Sequence, residues 1–196
     1  MVIHHIAPGI TISDVVYEQV SEILDTRFPG VLPELTWEAV TAPAGGAWRI
    51  PDPTGAVSKV ELILLDTPRT TVKINNWFLP DLRAGERPAP HNHRWRTMRS
   101  TIVSGGYRDR VYWADVSGVT EQVRTHDTGG QNTLPHHEFH EVIEVEPGSW
   151  TVFVGDDSQP GDWGYLDPGT GRYTHNAAIS PDPNFAAAFK ALNPSR

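Results

Sequence analysis

What most constrains this chain is how often its apolar segments are cut short. It holds 17 glycines and 17 prolines in 196 residues, above the average combined usage of about 12%, so few stretches can sustain a long periodic element. Between the breaks lie short runs rich in β-branched and aromatic residues: near Thr36 to Thr41, Val57 to Leu65, Thr70 to Leu79, Met98 to Val103, Arg110 to Ala114, Glu121 to Thr125, Glu141 to Val145 and Ser149 to Val154. Turn formers separate them, among them Thr54-Gly55, Ser104-Gly105-Gly106, Gly129-Gly130 and Glu146-Pro147-Gly148. About eight strands at this spacing predict an all-β domain, either a sandwich or a double-sheet barrel.

Only two segments read as helices. From Ser13 the run SDVVYEQVSEILDTRF places Val16, Val20, Ile23 and Leu24 three and four residues apart, with Ser13 or Asp14 as cap and Pro29-Gly30 as the stop. Near the other end, Asp182 and Pro183 precede NFAAAFKAL, which puts Phe185, Ala188, Phe189 and Leu192 on one stripe before Asn193-Pro194. A small hairpin is predicted around Asp167-Pro168-Gly169, with Tyr165 and Tyr173 on its arms. No repeat or linker divides the chain. The predicted organisation is a barrel core over 57–160, preceded by an extension (1–56) of helix and edge strands and followed by a hairpin and helix (161–196) packed on the barrel.

Charge and composition narrow the partners. With 16 basic and 24 acidic residues the formal charge is −8, a poor match for a phosphate backbone or an anionic membrane, so neither nucleic acid nor membrane is expected. The absence of cysteine excludes disulfides, thiolate metal sites and a cysteine nucleophile. The start lacks the basic-then-apolar pattern of a secretory leader, and the apolar runs are far shorter than a membrane span, which predicts a soluble, cytoplasmic protein.

Six of the nine histidines fall between positions 91 and 140. His91-Asn92-His93 is the strongest local feature, because imidazoles two apart on a strand project to the same face and can share one metal ion. Downstream, HHEFH offers His136, His137 and His140 as a third ligand.

Two motifs give this pattern a context. GERPAPHNHRWRTMRSTIVSG, with Gly85, His91, His93 and Gly105 in register, resembles the first motif of the cupin superfamily, G-x5-H-x-H-x4-E-x6-G, except that Met98 stands at the glutamate position. GGQNTLPHHEFHEVIE resembles the second motif, G-x5-P-x-G-x2-H-x3-N, through Gly129, Pro135 and His140, with His137 in place of its glycine and Glu144 in place of its asparagine. The likeness covers about positions 72 to 155. It implies a jelly-roll β-barrel, the double-stranded β-helix, with metal ligands His91, His93 and His140; His136 and His137 remain alternatives to the third. An all-histidine set is similar to that of the thiol dioxygenase branch, the cysteine dioxygenase-like cupins, and so implies Fe(II), with Zn, Mn and Ni as alternatives, and dioxygen as co-substrate. No cysteine exists for the cysteine–tyrosine crosslink of some members, and nothing identifies a thiol substrate.

The function expected is therefore a mononuclear non-haem iron oxygenase acting on a small polar or carboxylate-bearing molecule. Its rivals are a non-redox metal cupin (isomerase, lyase or hydrolase) and a non-catalytic small-ligand binder, and a homodimer is left open. Three neutral ligands leave the ion's charge uncompensated, which favours an anionic substrate. Among Arg94, Arg96, Arg99, Arg108 and Arg110, Arg99 and Arg110 are the candidates for holding its carboxylate. Met98, Trp95, Tyr112 and His137 are expected at the substrate, and Glu138, Glu141 and Tyr107 are the candidates for proton movement. For Met98 and the aromatics the ordinary explanation is core packing, and for the carboxylates an exposed strand edge. His126 and His175 are expected in loops, and His4-His5 in a flexible terminus.

Overall fold

The structure, a computed structural model, describes residues 3–7, 10–27, 46–81, 89–159, 161–178 and 182–194. In chain order it comprises β1 (Ile3–Ala7), β2 (Ile10–Ser13), α1 (Asp14–Arg27), β3 (Gly46–Pro51), β4 (Val57–Asp66), β5 (Thr71–Trp77), β6 (Trp95–Ser104), β7 (Gly106–Asp115), β8 (Gly118–Asp127), β9 (Gln131–Pro135), β10 (Phe139–Val145), β11 (Ser149–Ser158), β12 (Gly164–Asp167), β13 (Arg172–His175) and α2 (Pro183–Leu192), with a 3-10 turn at Asn176–Ala178.

One antiparallel sheet runs β3-β4-β5-β11-β6-β9 and a second runs β10-β7-β8. Chain 89–92 lengthens the second sheet. The His91 amide donates to the His140 carbonyl at 3.0 Å, and the His140 amide returns to the His91 carbonyl at 2.9 Å. On its far side the Leu166 amide reaches the Pro90 carbonyl at 2.9 Å, so the hairpin β12–β13 joins the same surface.

Alternate residues of a strand face opposite ways, and in the larger sheet both faces are covered. Val60, Leu62, Val72, Ile74, Val103, Trp150, Val152 and Val154 form the outer face and bury Val16 and Val20 of α1 together with Ile12 of β2. Each buried valine there is worth about 1.5–3 kcal/mol relative to exposure, so α1 is a cover for the sheet. Ser13 caps it, its hydroxyl accepting the Val16 amide at 3.3 Å. The inner face meets the second sheet through Trp95, Met98, Leu134 and Phe153 against Val111, and through Trp77 and Ile102 against Tyr107 and Val142. Two facing antiparallel sheets with an interior closed by both make a β-barrel of the jelly-roll type.

The turn glycines of both motifs are explained by backbone conformation. Gly105, between β6 and β7, has φ +72°, and a Cβ there would run into the Ser149 side chain; Gly129, before β9, has φ +83°. The opening Gly85 lies outside the described residues, as does the strand predicted near Thr36 to Thr41. The edge strands expected within 1–56 include β1, β2 and β3, whose positions were not given, and β9 was not foreseen, since each is short or interrupted by Gly, Pro or Asn. β1 carries His4 and His5, whose backbone pairs with Ile12 and Thr11 of β2 instead of lying loose. At the other end α2 docks on β3: Phe189 stacks on Trp48 at 5.5 Å between ring centroids, and the Asn193 side chain exchanges two 2.9 Å hydrogen bonds with the backbone of Arg49.

Candidate metal centre

His91, His93 and His140 converge inside the barrel. Their rings form a near-equilateral triangle, with centroids 5.0, 5.1 and 5.0 Å apart for the 91–93, 91–140 and 93–140 pairs, and one ring nitrogen from each lies within 4.8 Å of the others. The Nε2 atoms of His93 and His140 are 2.8 Å apart. Two neighbouring ligands at about 2.1 Å from one ion and at a right angle to each other are about 3.0 Å apart, so the donor set fits a single ion. Burial, then the positive potential of His91, His140, Lys73 and Lys59, holds the His93 ring well below the ordinary 6.5. A neutral imidazole keeps the lone pair a metal needs.

Local sequence explains the convergence. The middle residue of His91-Asn92-His93 is buried, and its amide fastens two loops: Asn92 Nδ2 donates to the His136 carbonyl at 2.9 Å, and its Oδ1 accepts the Gly164 amide at 2.8 Å. His136 turns away from the cluster, with Nδ1 at 2.6 Å from the His93 carbonyl and Nε2 at 3.3 Å from Asp162. His137 is exposed. Of the three imidazoles in HHEFH, only that of His140 points inward to the pair.

Behind His140 lies a carboxylate that sequence reasoning missed. Asp109 of β7, fully buried, accepts His126 Nε2 at 2.9 Å and Asn132 Nδ2 at 2.8 Å, and its Oδ2 is 3.6 Å from His140 Nδ1. Burial alone would raise this carboxyl, but the His126 hydrogen bond and the positive potential of the two neighbouring imidazoles outweigh it and hold Asp109 well below the usual carboxylate range. An ionised carboxylate facing the far nitrogen of a ligand histidine fixes ring orientation and strengthens it as a donor. Asn132 also donates to the Tyr107 hydroxyl at 3.0 Å. His126 is thus a buried member of β8 and not the loop residue expected; His175, likewise, ends β13.

The structure places several expected site residues away from the histidine triangle, and for Arg99, Arg110, Tyr112 and Glu141 the reason is the same. Successive residues on a strand face opposite ways, so the neighbours of inward residues point out. Arg99 follows inward Met98 and is exposed on the outer side of β6. Arg110 and Tyr112 alternate with inward Asp109 and Val111 and lie on the outer side of the second sheet, where Arg110 is 3.9 Å from Glu121. Glu141, adjacent to His140, also faces out: it is buried beneath chain 89–92, accepting the Ala89 amide at 2.6 Å and facing the Tyr112 hydroxyl at 3.4 Å. Burial raises its carboxyl above the ordinary value. Exposed His137 lines no pocket. Glu138 is tied to Trp113 Nε1 at 3.0 Å and Arg124 at 3.2 Å. Tyr107 is inside the barrel, its hydroxyl raised above the ordinary 10 chiefly by burial, and touches the Asp109 network instead of the histidine triangle. Met98 and Trp95 remain inward, in the apolar cluster with Val111, Leu134 and Phe153, and the Trp95 ring is 5.8 Å from that of His93.

Also unforeseen is a chain of charges on the inner face of β4 and β5. Lys59 Nζ lies 3.1 Å from both Glu61 and Asp81, and Lys73 Nζ lies 2.8 Å from the same Glu61 oxygen. The alternation in VSKVELILLD, with Lys59 and Glu61 out of phase with Val60 and Leu62, was the available signal.

Fold and triangle together define a double-sheet β-barrel of the jelly-roll type with a three-histidine cluster able to hold a metal ion. No family profile matches the sequence, and no curated protein matches it. Among solved structures the backbone is similar to that of KdgF from Halomonas sp., at 17% identity and a TM-score of 0.40 over 57% of this chain and 88% of that one. It is similar to a cupin superfamily protein from Desulfitobacterium hafniense, at 10% identity and 0.36 over 51% and 78%. It is also similar to Streptomyces albus HEPD with 2-hydroxyethylphosphonate and Fe(II) bound, at 12% identity and 0.40 over 58% and 25%. Among the described residues no helix is long and apolar enough to cross a membrane.

Proposed function

We propose that His91, His93 and His140 hold one divalent ion and that the protein is a mononuclear non-haem Fe(II) oxygenase acting on a small carboxylate-bearing molecule. The observation that carries this reading is the convergence of three buried or half-buried imidazoles with no carboxylate among them. Iron is chosen for the likeness of this set to that of the thiol dioxygenase cupins; zinc, manganese and nickel are the other ions the same ligands accept. Bound by these three residues, an Fe(II) ion would supply Lewis-acidic and redox chemistry.

The chain's own residues do the rest. Asn92 fixes the spacing of His91 and His93, and Asp109 sets the ring of His140. Met98, Trp95, Leu134 and Phe153 form an apolar wall that keeps bulk water from the centre. Met98 takes no part in binding the ion, because a thioether is a soft donor that suits Fe(II) poorly.

The test is elemental analysis of protein purified without chelators, followed by anaerobic Fe(II) loading and oxygen-uptake measurement with a panel of small carboxylates. One ion per chain is expected, lost in His140→Ala and kept in His137→Ala. The reverse pattern would overturn the ligand assignment. Full metal occupancy with no carboxylate-dependent oxygen uptake would give the non-redox reading the advantage.

A further inference from the structure

His140 stands on the regular strand β10, whereas His91 comes from the short segment 89–92, which must be held in register for its ring to meet the other two. We propose that Glu141 holds it: the buried carboxyl is a positioning residue of the metal centre, pinning the Ala89 amide and through that segment the His91 ring. This inference rests on the metal reading above, and it gives a part to a buried acid that faces away from the barrel interior.

The backbone of the segment shows why a side chain is needed. His91 and His140 exchange both of their backbone hydrogen bonds, at 3.0 and 2.9 Å. In an antiparallel ladder the next such pair lies two residues on, which would set Ala89 against Val142. That position is taken by Asp81, whose amide donates to the Val142 carbonyl at 3.0 Å. The Ala89 amide donates instead to Glu141 Oε1 at 2.6 Å. Pro90, between Ala89 and His91, has no amide to offer, and its carbonyl accepts Leu166 on the other side. Before His91, therefore, the carboxyl of Glu141 does for β10 what a ladder carbonyl would do.

The ligand is then clamped from both directions. After His91, Asn92 is bonded to the His136 carbonyl and to both backbone groups of Gly164; before it, Ala89 is bonded to Glu141. A single backbone pair fixes one point and leaves the segment free to pivot about it, while ligand distances in a metal site are held to within about 0.2 Å.

The setting of Glu141 fits this part. The residue is 2% exposed, and its second oxygen faces the Tyr112 hydroxyl at 3.4 Å, so one carboxyl joins 89–92, β10 and β7. Tyr112 packs with Phe139 and Leu166. In such surroundings a carboxyl is costlier to bury than an apolar side chain unless its hydrogen bonds are made. A carboxyl oxygen accepts an amide hydrogen whether the group is ionised or protonated, and a glutamine oxygen does so equally well.

The experiment uses the full chain and Co(II), whose visible spectrum reports its ligands. Wild type, Glu141→Gln, Glu141→Asp and Glu141→Leu are compared for cobalt affinity, by competition with a chelator, and for the spectrum at saturation. Circular dichroism and thermal unfolding of the metal-free proteins report the fold. Glu141→Gln keeps an oxygen for Ala89 and should show wild-type affinity and spectrum. Glu141→Asp keeps the carboxyl but withdraws it by one carbon–carbon bond, about 1.5 Å, and Glu141→Leu removes it. Each should bind cobalt at least about ten-fold more weakly, with a shifted spectrum, and Glu141→Asp carries the test if Glu141→Leu does not fold. A folded Glu141→Asp with wild-type affinity and spectrum overturns the positioning role and leaves the metal reading intact. So does a Glu141→Gln as weak as Glu141→Asp, because an acceptor for Ala89 is then not what the site needs. Failure of wild type to take up cobalt overturns the metal reading, and the positioning role with it.

Discussion

Asp109→Asn separates the orienting carboxylate from the fold that holds it. The substitution keeps shape and volume. Asp109 accepts from His126 and Asn132 and faces His140 Nδ1 at 3.6 Å. An asparagine can keep its oxygen toward Asn132 and His140 and donate its amide to His126, provided His126 takes the tautomer with a bare Nε2. The core is therefore preserved, and what disappears is a negative charge behind the ligand. A full unit charge on the imidazole at 3.6 Å would be worth about 4.6 kcal/mol at an effective dielectric of 20. That is a ceiling, since a metal-bound imidazole carries only part of a charge. Loss of such orienting partners costs about 10- to 100-fold in metal affinity, or about 1.4–2.7 kcal/mol, below that ceiling. Competition of the folded variant against a chelator of known cobalt affinity measures the change directly. Circular dichroism and thermal unfolding of the apo-protein control for damage to the barrel. A variant that folds like wild type and binds cobalt equally well would refute the positioning role of Asp109.

Two further perturbations address the barrel around the site. Burial would raise Glu61, but the Lys73 and Lys59 ammoniums beside it prevail and hold its carboxyl at about 2 against an ordinary 4.5. At 1.36 kcal/mol per pH unit this contributes roughly 3 kcal/mol of folding stability. Because the folded value is the lower one, that stability is complete above about pH 4.5 and lost as pH falls toward 2. Urea unfolding of Glu61→Gln from pH 7 to 2.5 should lack most of that loss; stability–pH curves parallel to wild type would contradict it. Gly155→Ala should destabilise by about 1–3 kcal/mol through overpacking, since a Cβ there would stand 2.5 Å from the Trp95 ring, and an unchanged denaturation midpoint would show that Trp95 can move aside.

The parts of the fold legible in the sequence are those where a local rule acts alone. The helix after Ser13 follows from a cap and the spacing of Val16 and Val20, which do bury against one sheet. The second helix follows from Asp182, whose carboxylate accepts the Asn184 amide at 2.9 Å, and from the proline behind it. The β6–β7 turn follows from Gly105. By contrast β9 holds only Gln131–Pro135, and nothing in QNTLP marks a strand apart from its pairing with β6. Short strands at a sheet edge owe their existence to a partner, and partners are distant in sequence.

The candidate site was legible as a set of histidines and misread as a pocket. Motif spacing picked out His91, His93 and His140, which the structure brings together. The choice of neighbours used proximity along the chain where strand parity should have ruled. Tyr107 cannot share a face with Arg110 or Tyr112 on the unbroken β7, nor His140 with Glu141 on β10. Applied strictly, the two-residue period that places Tyr107 inward also places Asp109 inward, and so leads to the carboxylate behind His140. The same rule on β4 sets Lys59 and Glu61 opposite Val60 and Leu62, but it cannot say which side is interior, because α1 makes the outer side as apolar as the core. A sheet buried on both faces removes the hydrophobic contrast from which inside and outside are read. The lysines therefore became visible only once α1 was seen to cover the valines.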